Sequence, residues 1–322
     1  MLSRPYSYTR RELMFGLAGT ALAFSKVRNS MYNPKIAAHT SIWLREAEIR
    51  NVPVSGILEE ALAGTRAAGY SRIELASDFL TPGLRERTLG LLEKRKLEPS
   101  IVYTDGPIEE QAAAENSCRE VRDLGRLMMG RGTSVFNFSP LAKPDERPKS
   151  AAELETEAYQ LNRMGEDVQS LGLELMVHHH QAEMRDNARE WRYLVAHTEP
   201  KLVSFCLDVD WVTREGLSPL TLMDIAGARL RALHLRNPKN GVDQELLGEG
   251  DIDMVAIARF LRQMGYDGYL VVELQHTRAT PRERSLATDL STSRFFMQEV
   301  FGSRQGNPPV DMGPYVRKKA QP

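Results

Sequence analysis

From Lys35 onward, short apolar runs alternate with longer stretches in which apolar residues recur every three or four positions. The short runs are typical of buried strands, and the longer stretches are typical of amphipathic helices. The strand predictions are Ile36–Ser41, Arg72–Ala76, Ser100–Thr104, Ser134–Phe138, Leu173–His180, Leu202–Asp208, Arg231–Leu235 and Tyr269–Leu274. The intervening stretches predict helices at Ile57–Ala68, Leu84–Lys96, Ile108–Met128, Ala151–Leu171, Ala188–His197, Leu220–Ala228, Met254–Met264 and Arg282–Val300.

This alternation determines how the strands pair. A helix between two strands carries the chain back across the sheet, so consecutive strands run parallel. Eight such units fall between residues 35 and 302, and no dinucleotide-type glycine pattern follows the first strand. The sequence therefore predicts an α/β fold, a single-domain (β/α)8 TIM barrel over 35–302. Residues 303–322 are rich in Pro, Gly and Lys, which predicts a loose C-terminal tail.

Composition narrows the partners. The 322 residues are 42% hydrophobic and 26% charged with a net charge of −1, as expected for a globular protein with a large core. Without a basic excess we expect no nucleic-acid partner, and without a long apolar run we expect no stable membrane anchor. Cys118 and Cys206 fall in a predicted helix and a predicted strand, which favours two separate core thiols over a disulfide. An oligomer is compatible with this composition.

The first 23 residues have the composition of a targeting segment. Thr9-Arg10-Arg11 precedes a mild apolar run that ends near Phe24, and Ala21-Leu22-Ala23 offers the small residues of a signal-peptidase site. We therefore predict a twin-arginine-type signal peptide at 1–23 and a periplasmic or extracytoplasmic location. The alternative is an amphipathic first helix with two chance arginines.

Each of the last four predicted strands has polar residues that can bind a metal at its carboxyl end. These residues are His178-His179-His180, Asp208, His234 and Glu273. The carboxyl ends of the strands form the functional face of a TIM barrel, so these side chains are expected to converge. A mixed oxygen and nitrogen set suits one divalent metal, Mn²⁺, Co²⁺, Zn²⁺ or Mg²⁺. Each residue taken alone has a plainer interpretation as a hydrogen-bonded structural group.

At this point the sequence resembles a family. Residues 177–184, Val-His-His-His-Gln-Ala-Glu-Met, resemble the Tyr-His-Asn-His-x-x-Glu-Phe segment of xylose isomerase-like TIM barrels, the sugar phosphate isomerase/epimerase superfamily. Residues 207–211, 233–237, 248–253 and 271–273 resemble further motifs of that family in the expected order. The resemblance implies that Asp208, His234 and Glu273 are metal ligands. It places His178 as the fourth ligand, with His180 as its competitor.

Departures from the family pattern leave the substrate open. His179 replaces an Asn, and Arg236-Asn237 replace a Lys-Asp pair, so a Lys-assisted proton transfer is unavailable there. The related endonuclease IV type needs a His where this chain has Trp211, which argues against nuclease activity.

The predicted function is that of a metal-dependent isomerase or epimerase acting on a small unphosphorylated sugar or keto-sugar. It would abstract a proton and pass through a metal-stabilised enediolate. Glu273 is the first candidate base and His180 the second. The substrate-binding candidates are His39, Glu74, Trp211, Arg236 and Glu249. The alternatives are that Glu74 and Glu249 only brace loops and Trp211 only fills the rim. At the level of function, the alternatives are a sugar lyase or dehydratase and a non-catalytic periplasmic sugar-binding protein.

Overall fold

The computed structural model describes residues 32–302, in which eight parallel strands close into a barrel in the order β1 to β8. The predicted (β/α)8 barrel is confirmed, whereas the predictions for 1–23 and 303–322 lie outside the described residues. The strands are β1 Lys35–His39, β2 Arg72–Ala76, β3 Glu98–Gly106, β4 Val135–Pro140, β5 Glu174–Val177, β6 Val203–Asp208, β7 Leu230–Leu235 and β8 Tyr269–Val272. β1 pairs with β8 as well as β2, which closes the ring.

Helices surround this ring. They are α1 Ser41–Arg50, α2 Val54–Ala67, α3 Arg85–Arg95, α4 Gln111–Met128, α5 Ala151–Ser170, α6 Gln181–His197, α7 Val209–Arg214, α8 Pro219–Ala226, α9 Met254–Met264 and α10 Leu286–Phe301. Short 3₁₀ turns lie at Ser77–Leu80, Gly227–Arg229 and Leu247–Glu249. No helix between residues 32 and 302 combines the length and apolarity that a membrane span needs.

The predictions missed one helix and extended strand β5 too far, and several other element ends differ by a few residues. Helix α1 was missed because its apolar residues Ile42, Trp43 and Leu44 are adjacent rather than spaced at helical intervals. Strand β5 ends at Val177, so His178 to His180 lie in the loop that follows it. The backbone N–H of His180 donates to Glu183 Oε2 at 2.8 Å, and this bond begins helix α6 instead of continuing the strand.

The barrel interior explains why the site lies at its carboxyl end. One buried cluster, drawn from seven strands, consists of Ala37, Ile101, Val135, Met176, Cys206, Ala232, Tyr269 and Val271. Because side chains alternate along a strand, the residue two positions after a member of this layer faces the same way. Those positions include His39, Asp208 and His234. The apolar layer is therefore a floor, and the polar residues form the layer above it.

A second group of buried charges lies between helices α5 and α6. Lys149 Nζ lies 2.8 Å from Glu157 Oε2 and 4.0 Å from Glu183 Oε1. The backbone N–H of Lys149 donates to Glu190 at 2.7 Å. Burial raises the pKa of Glu157 to about 7, although Lys149 acts in the opposite direction. Because Glu183 also accepts from the His180 backbone, this cluster supports the loop that carries the three histidines.

Candidate metal centre

Three of the four predicted ligands converge at the carboxyl end of the barrel. Asp208 and His234 are direct neighbours in the register of β6 and β7. Glu273 follows β8, and its backbone N–H donates to Leu235 at 3.1 Å. One ligand atom from each of Asp208, His234 and Glu273 lies within 4.8 Å of the other two. The arrangement offers two carboxylates and one imidazole to a single ion.

His234 stands between two carboxylates. Its Nδ1 lies 2.9 Å from Glu273 Oε2, and its Nε2 lies 2.8 Å from Glu74 Oε2. Burial opposes a charge on His234, but Cys206, Glu74 and Glu273 outweigh burial and raise its pKa well above the ordinary value. An ion bound at Nδ1 would replace the proton on that nitrogen. Glu74 would then hold the remaining proton on Nε2 and orient the ring, as carboxylates commonly do behind metal-binding histidines.

Glu74 is completely buried. Its Oε1 accepts a hydrogen bond from Asn137 Nδ2 at 2.7 Å, while its Oε2 faces His234. With both oxygens engaged below the mouth, Glu74 is placed to orient His234 rather than to hold a sugar hydroxyl. The sequence did not reveal this contact, because the two residues are 160 positions apart.

His178 lies beside the three converging ligands. Its ring centre is 4.6 Å from that of His234, yet it is not within the 4.8 Å span that joins Asp208, His234 and Glu273. It does fall within such a span with Cys206 and His234. Burial, followed by the charges of neighbouring histidines, lowers the pKa of His178 well below the ordinary value, so the ring is neutral. Its buried Nδ1 has no hydrogen-bond partner among the described residues.

The other two histidines of the loop have different positions. His179 Nε2 accepts from the backbone N–H of Asp208 at 3.0 Å, and burial lowers the pKa of this ring to about 3. His179 therefore fixes the end of β6 as a neutral acceptor. His180 is half-buried, with Nδ1 3.1 Å from Ser139 Oγ and its ring centre 6.0 Å from that of Trp211. His180 is thus the histidine nearest the rim.

Arg236 occupies a position that the sequence did not predict. Its guanidinium lies 2.5 Å from Asp208 Oδ2, 3.7 Å from Asp210 Oδ2 and 3.6 Å from Glu273 Oε2, and its side chain is buried. Burial would raise the pKa of Glu273, but the charges of His234 and Arg236 hold it below its usual range. Arg236 therefore helps His234 to keep Glu273 ionised. Its role could have been suspected from the two aspartates, 208 and 210, at the end of the neighbouring strand.

The remaining predicted substrate residues are spread out. His39 is buried, and its Nδ1 accepts from the Ser41 backbone at 2.8 Å, while Nε2 is 3.8 Å from Glu74. The Trp211 ring has the Arg236 guanidinium 4.6 Å from its centre, so a cation already covers part of it. Glu249 is exposed on its 3₁₀ turn, Leu247–Glu249. The structure does not bring Glu249 into contact with the converging ligands.

The residues present fit a divalent ion. Glu74, Asp208 and Asp210 are buried, Glu273 is largely buried, and Arg236 is the buried guanidinium beside them. A divalent cation would offset negative charge that this enclosed set of carboxylates carries. The unpartnered His178 Nδ1 adds a neutral donor at the edge of the site. Oxygen and nitrogen donors of this kind suit Mn²⁺, Co²⁺, Zn²⁺ or Mg²⁺.

The profile of the family described as xylose isomerase-like TIM barrel matches residues 62–296. The chain belongs to the xylose isomerase-like TIM barrel family. Inosose dehydratase of Lacticaseibacillus casei is 24% identical over 265 residues, which cover 71% of this chain and 86% of that relative.

Solved structures share the fold of this xylose isomerase-like TIM barrel. D-allulose 3-epimerase from Methylomonas sp. superposes with a TM-score of 0.67 at 15% identity, over 84% of this chain and 98% of that chain. A xylose isomerase-like TIM barrel protein from Mycobacterium smegmatis, in complex with magnesium, gives a TM-score of 0.64 at 15% identity, over 86% and 98%. At such identities the likeness shows a common fold and leaves the reaction of this chain open.

Proposed function

We propose that this protein is a metal-dependent enzyme that removes a proton from the carbon next to the carbonyl of a small unphosphorylated sugar or keto-polyol, and returns it as an isomerase or epimerase. The observation that carries the proposal is the convergence of Asp208, His234 and Glu273 within 4.8 Å at the carboxyl end of the barrel. The relatives named as a 3-epimerase and an inosose dehydratase support the substrate class.

A divalent ion held by Asp208, His234 and Glu273 would polarise the carbonyl and stabilise the negative charge that forms as the proton leaves. Glu273 is the group that we assign as base. Its Oε2 is held by His234, while its Oε1 accepts no hydrogen bond from described residues and is therefore available to take a proton. Arg236 and His234 keep Glu273 ionised, which a base requires.

His180 is the group that we assign to the second proton transfer. Its Nδ1 faces the hydroxyl of Ser139, which can act as donor or acceptor. His180 can therefore give or accept a proton at Nε2, which makes no hydrogen bond with described residues. Strands β5 and β8 stand three places apart in the ring of eight, so His180 and Glu273 approach a bound substrate from different sides.

Dehydration is the second candidate. The observation that favours it is the 24% identity to inosose dehydratase. The two proton-transfer groups also differ, since Glu273 is a carboxylate and His180 an imidazole. Here Glu273 would remove the α-proton and His180 would protonate the departing β-hydroxyl, so that water leaves and a carbon–carbon double bond forms. The same first step serves both reactions, and only the fate of the intermediate differs.

Solvent deuterium exchange tests the proposal. The protein, stripped with chelator and reloaded with Mn²⁺, is incubated in D₂O with ketohexoses, keto-inositols and 3-keto glycosides, and the products are followed by NMR and mass spectrometry. Incorporation of deuterium with an otherwise unchanged formula supports an isomerase or epimerase, and loss of water supports a dehydratase. Glu273→Gln should abolish exchange, whereas Glu46→Gln, on the outside of the barrel, should not. Tight sugar binding without exchange would make the protein a binder and refute the proposal.

We also infer that the protein is exported. The basis is the Thr9-Arg10-Arg11 segment and the Ala21-Leu22-Ala23 site. Fusion of residues 1–31 to a reporter that fluoresces after folding in the cytoplasm should give a periplasmic signal, and exchange of both arginines for lysine should remove it. A cytoplasmic signal from the unchanged fusion would overturn the inference.

A further inference from the structure

We propose that Cys206, His178 and His234 form a second metal position directly below the carboxylate-rich one, and that this position takes a soft divalent ion such as Zn²⁺, Co²⁺ or Cd²⁺ through a sulfur ligand. The proposal deepens the metal requirement of the proposed function, and it rests on that function only in assuming that the barrel binds a metal.

The register of the sheet places Cys206 below the upper site. Cys206 stands two residues before Asp208 on β6, so both face the barrel interior and are separated by about 7 Å along the strand. On β7, Ala232 is the partner of Cys206, and His234 is the partner of Asp208.

The three donor atoms are close enough for one ion. Ligand atoms of His178, Cys206 and His234 lie within 4.8 Å of one another. Around a tetrahedral zinc ion with ordinary bond lengths, donor atoms are about 3.3–3.6 Å apart. Each pair therefore has to approach by up to about 1.5 Å, through rotation of the side chains. Met176, on β5, belongs to the same interior layer as Cys206.

His178 distinguishes a metal position from simple packing of a thiol. It is 2% exposed, and its Nδ1 has no hydrogen-bond partner among the residues that the structure describes. A buried ring nitrogen without a partner destabilises the folded state, so nearly all such groups in native proteins are satisfied. A metal ion would satisfy this nitrogen. Cys206 is also fully buried, which protects a metal–sulfur bond from oxidants.

The chemistry of the donors separates the two positions. Thiolate and imidazole ligands favour Zn²⁺ or Co²⁺, whereas carboxylates favour Mg²⁺ and Mn²⁺. Binding at the lower position breaks the S–H bond, transfers its proton to the solvent and forms the metal–sulfur bond without any change of oxidation state. Both positions use His234, so one ion occupies one of them at a time. The hardness of the ion decides which.

Cobalt absorption spectroscopy tests the proposal on the full-length, metal-free protein. Co²⁺ bound to a thiolate gives an intense near-ultraviolet charge-transfer band, which oxygen and nitrogen ligands do not produce. We expect one equivalent of Co²⁺ to give this band in the unchanged protein and in Cys118→Ser, because Cys118 lies on helix α4 outside the barrel. Cys206→Ser should lose the band.

The outcomes are separable from those of the proposed function. Stoichiometric Co²⁺ binding without the band, or a band that disappears in Cys118→Ser, overturns the sulfur ligand. The unchanged protein and Cys118→Ser suffice for this decision even if Cys206→Ser does not fold. Mn²⁺-dependent deuterium exchange without a cobalt–sulfur band would leave the proposed function standing and remove this inference. A cobalt–sulfur band without deuterium exchange on any sugar would support this inference and refute the proposed function.

Discussion

Glu74 offers the sharpest test of how the metal centre is built. Glu74→Gln keeps the shape of the side chain but removes the charge that faces His234 Nε2 at 2.8 Å. The amide also has to present an acceptor to Asn137 Nδ2, which now lies 2.7 Å from Glu74 Oε1. Loss of such a carboxylate behind a metal-binding histidine typically weakens metal affinity by about 10–100-fold. This corresponds to about 1.4–2.8 kcal/mol.

The pH dependence of this loss follows from the same contacts. Glu74 is among the groups that raise the pKa of His234, so removing its charge lowers that pKa and weakens the competition of protons with the metal. The deficit of Glu74→Gln should therefore be larger near pH 9 than near pH 6, because the competition of protons with the metal weakens as the pH rises. Calorimetric titration of the metal-free protein with Mn²⁺ measures both affinities.

Glu46→Gln is the matched control, because Glu46 is also buried but is paired with Arg282 outside the barrel. Its Mn²⁺ affinity should equal that of the unchanged protein. If folded Glu74→Gln binds Mn²⁺ within twofold of the unchanged protein near pH 9, Glu74 does not orient a metal-binding His234, and the assignment of Nδ1 as ligand is refuted.

Three further predictions concern charge, pH and packing. Asp208→Asn keeps the acceptor that caps helix α7 but removes the carboxylate paired with Arg236. Urea unfolding should show a free energy of unfolding lower by about 3 kcal/mol, and Mn²⁺ binding should disappear; unchanged values for both would contradict the pairing. The pKa of Glu157 in the folded state, about 7, lies above its unfolded value, so the folded state binds the extra proton and the free energy of unfolding falls by roughly 3 kcal/mol as the pH rises from about 4.5 to 7. Glu157→Gln should flatten the plot of unfolding free energy against pH, and a plot parallel to that of the unchanged protein would disprove the assignment. Gly250→Ala would put the new Cβ 2.1 Å from a backbone oxygen, so thermal unfolding should show a stability lower by about 2–3 kcal/mol. Gly83→Ala, whose Cβ would have no atom within 4 Å, should change the stability little, and equal effects of the two variants would refute the clash.

Alternating strand and helix periodicities were enough to predict the barrel, because they allow few topologies. They also predicted that Asp208, His234 and Glu273 would converge, since each is an ionisable residue at the end of an apolar strand, and the strand ends of a closed parallel sheet meet. Strand β2 was predicted without error, and helix α9 likewise, because their apolar periods are regular and bounded by clear end signals.

The contacts between side chains on opposite sides of the barrel followed from the folded structure and not from the sequence pattern. Strands β2 and β7 are not neighbours, so neither the spacing of residues in the sequence nor the pairing of strands predicted the hydrogen bond between Glu74 and His234. The position of Arg236 among three carboxylates also depends on its side-chain conformation, and so does the grouping of His178 with Cys206 and His234. Periodicity encodes which face a residue takes. Distances across a closed interior emerge only when all eight strands are in register, because the strand tilt and closure set them.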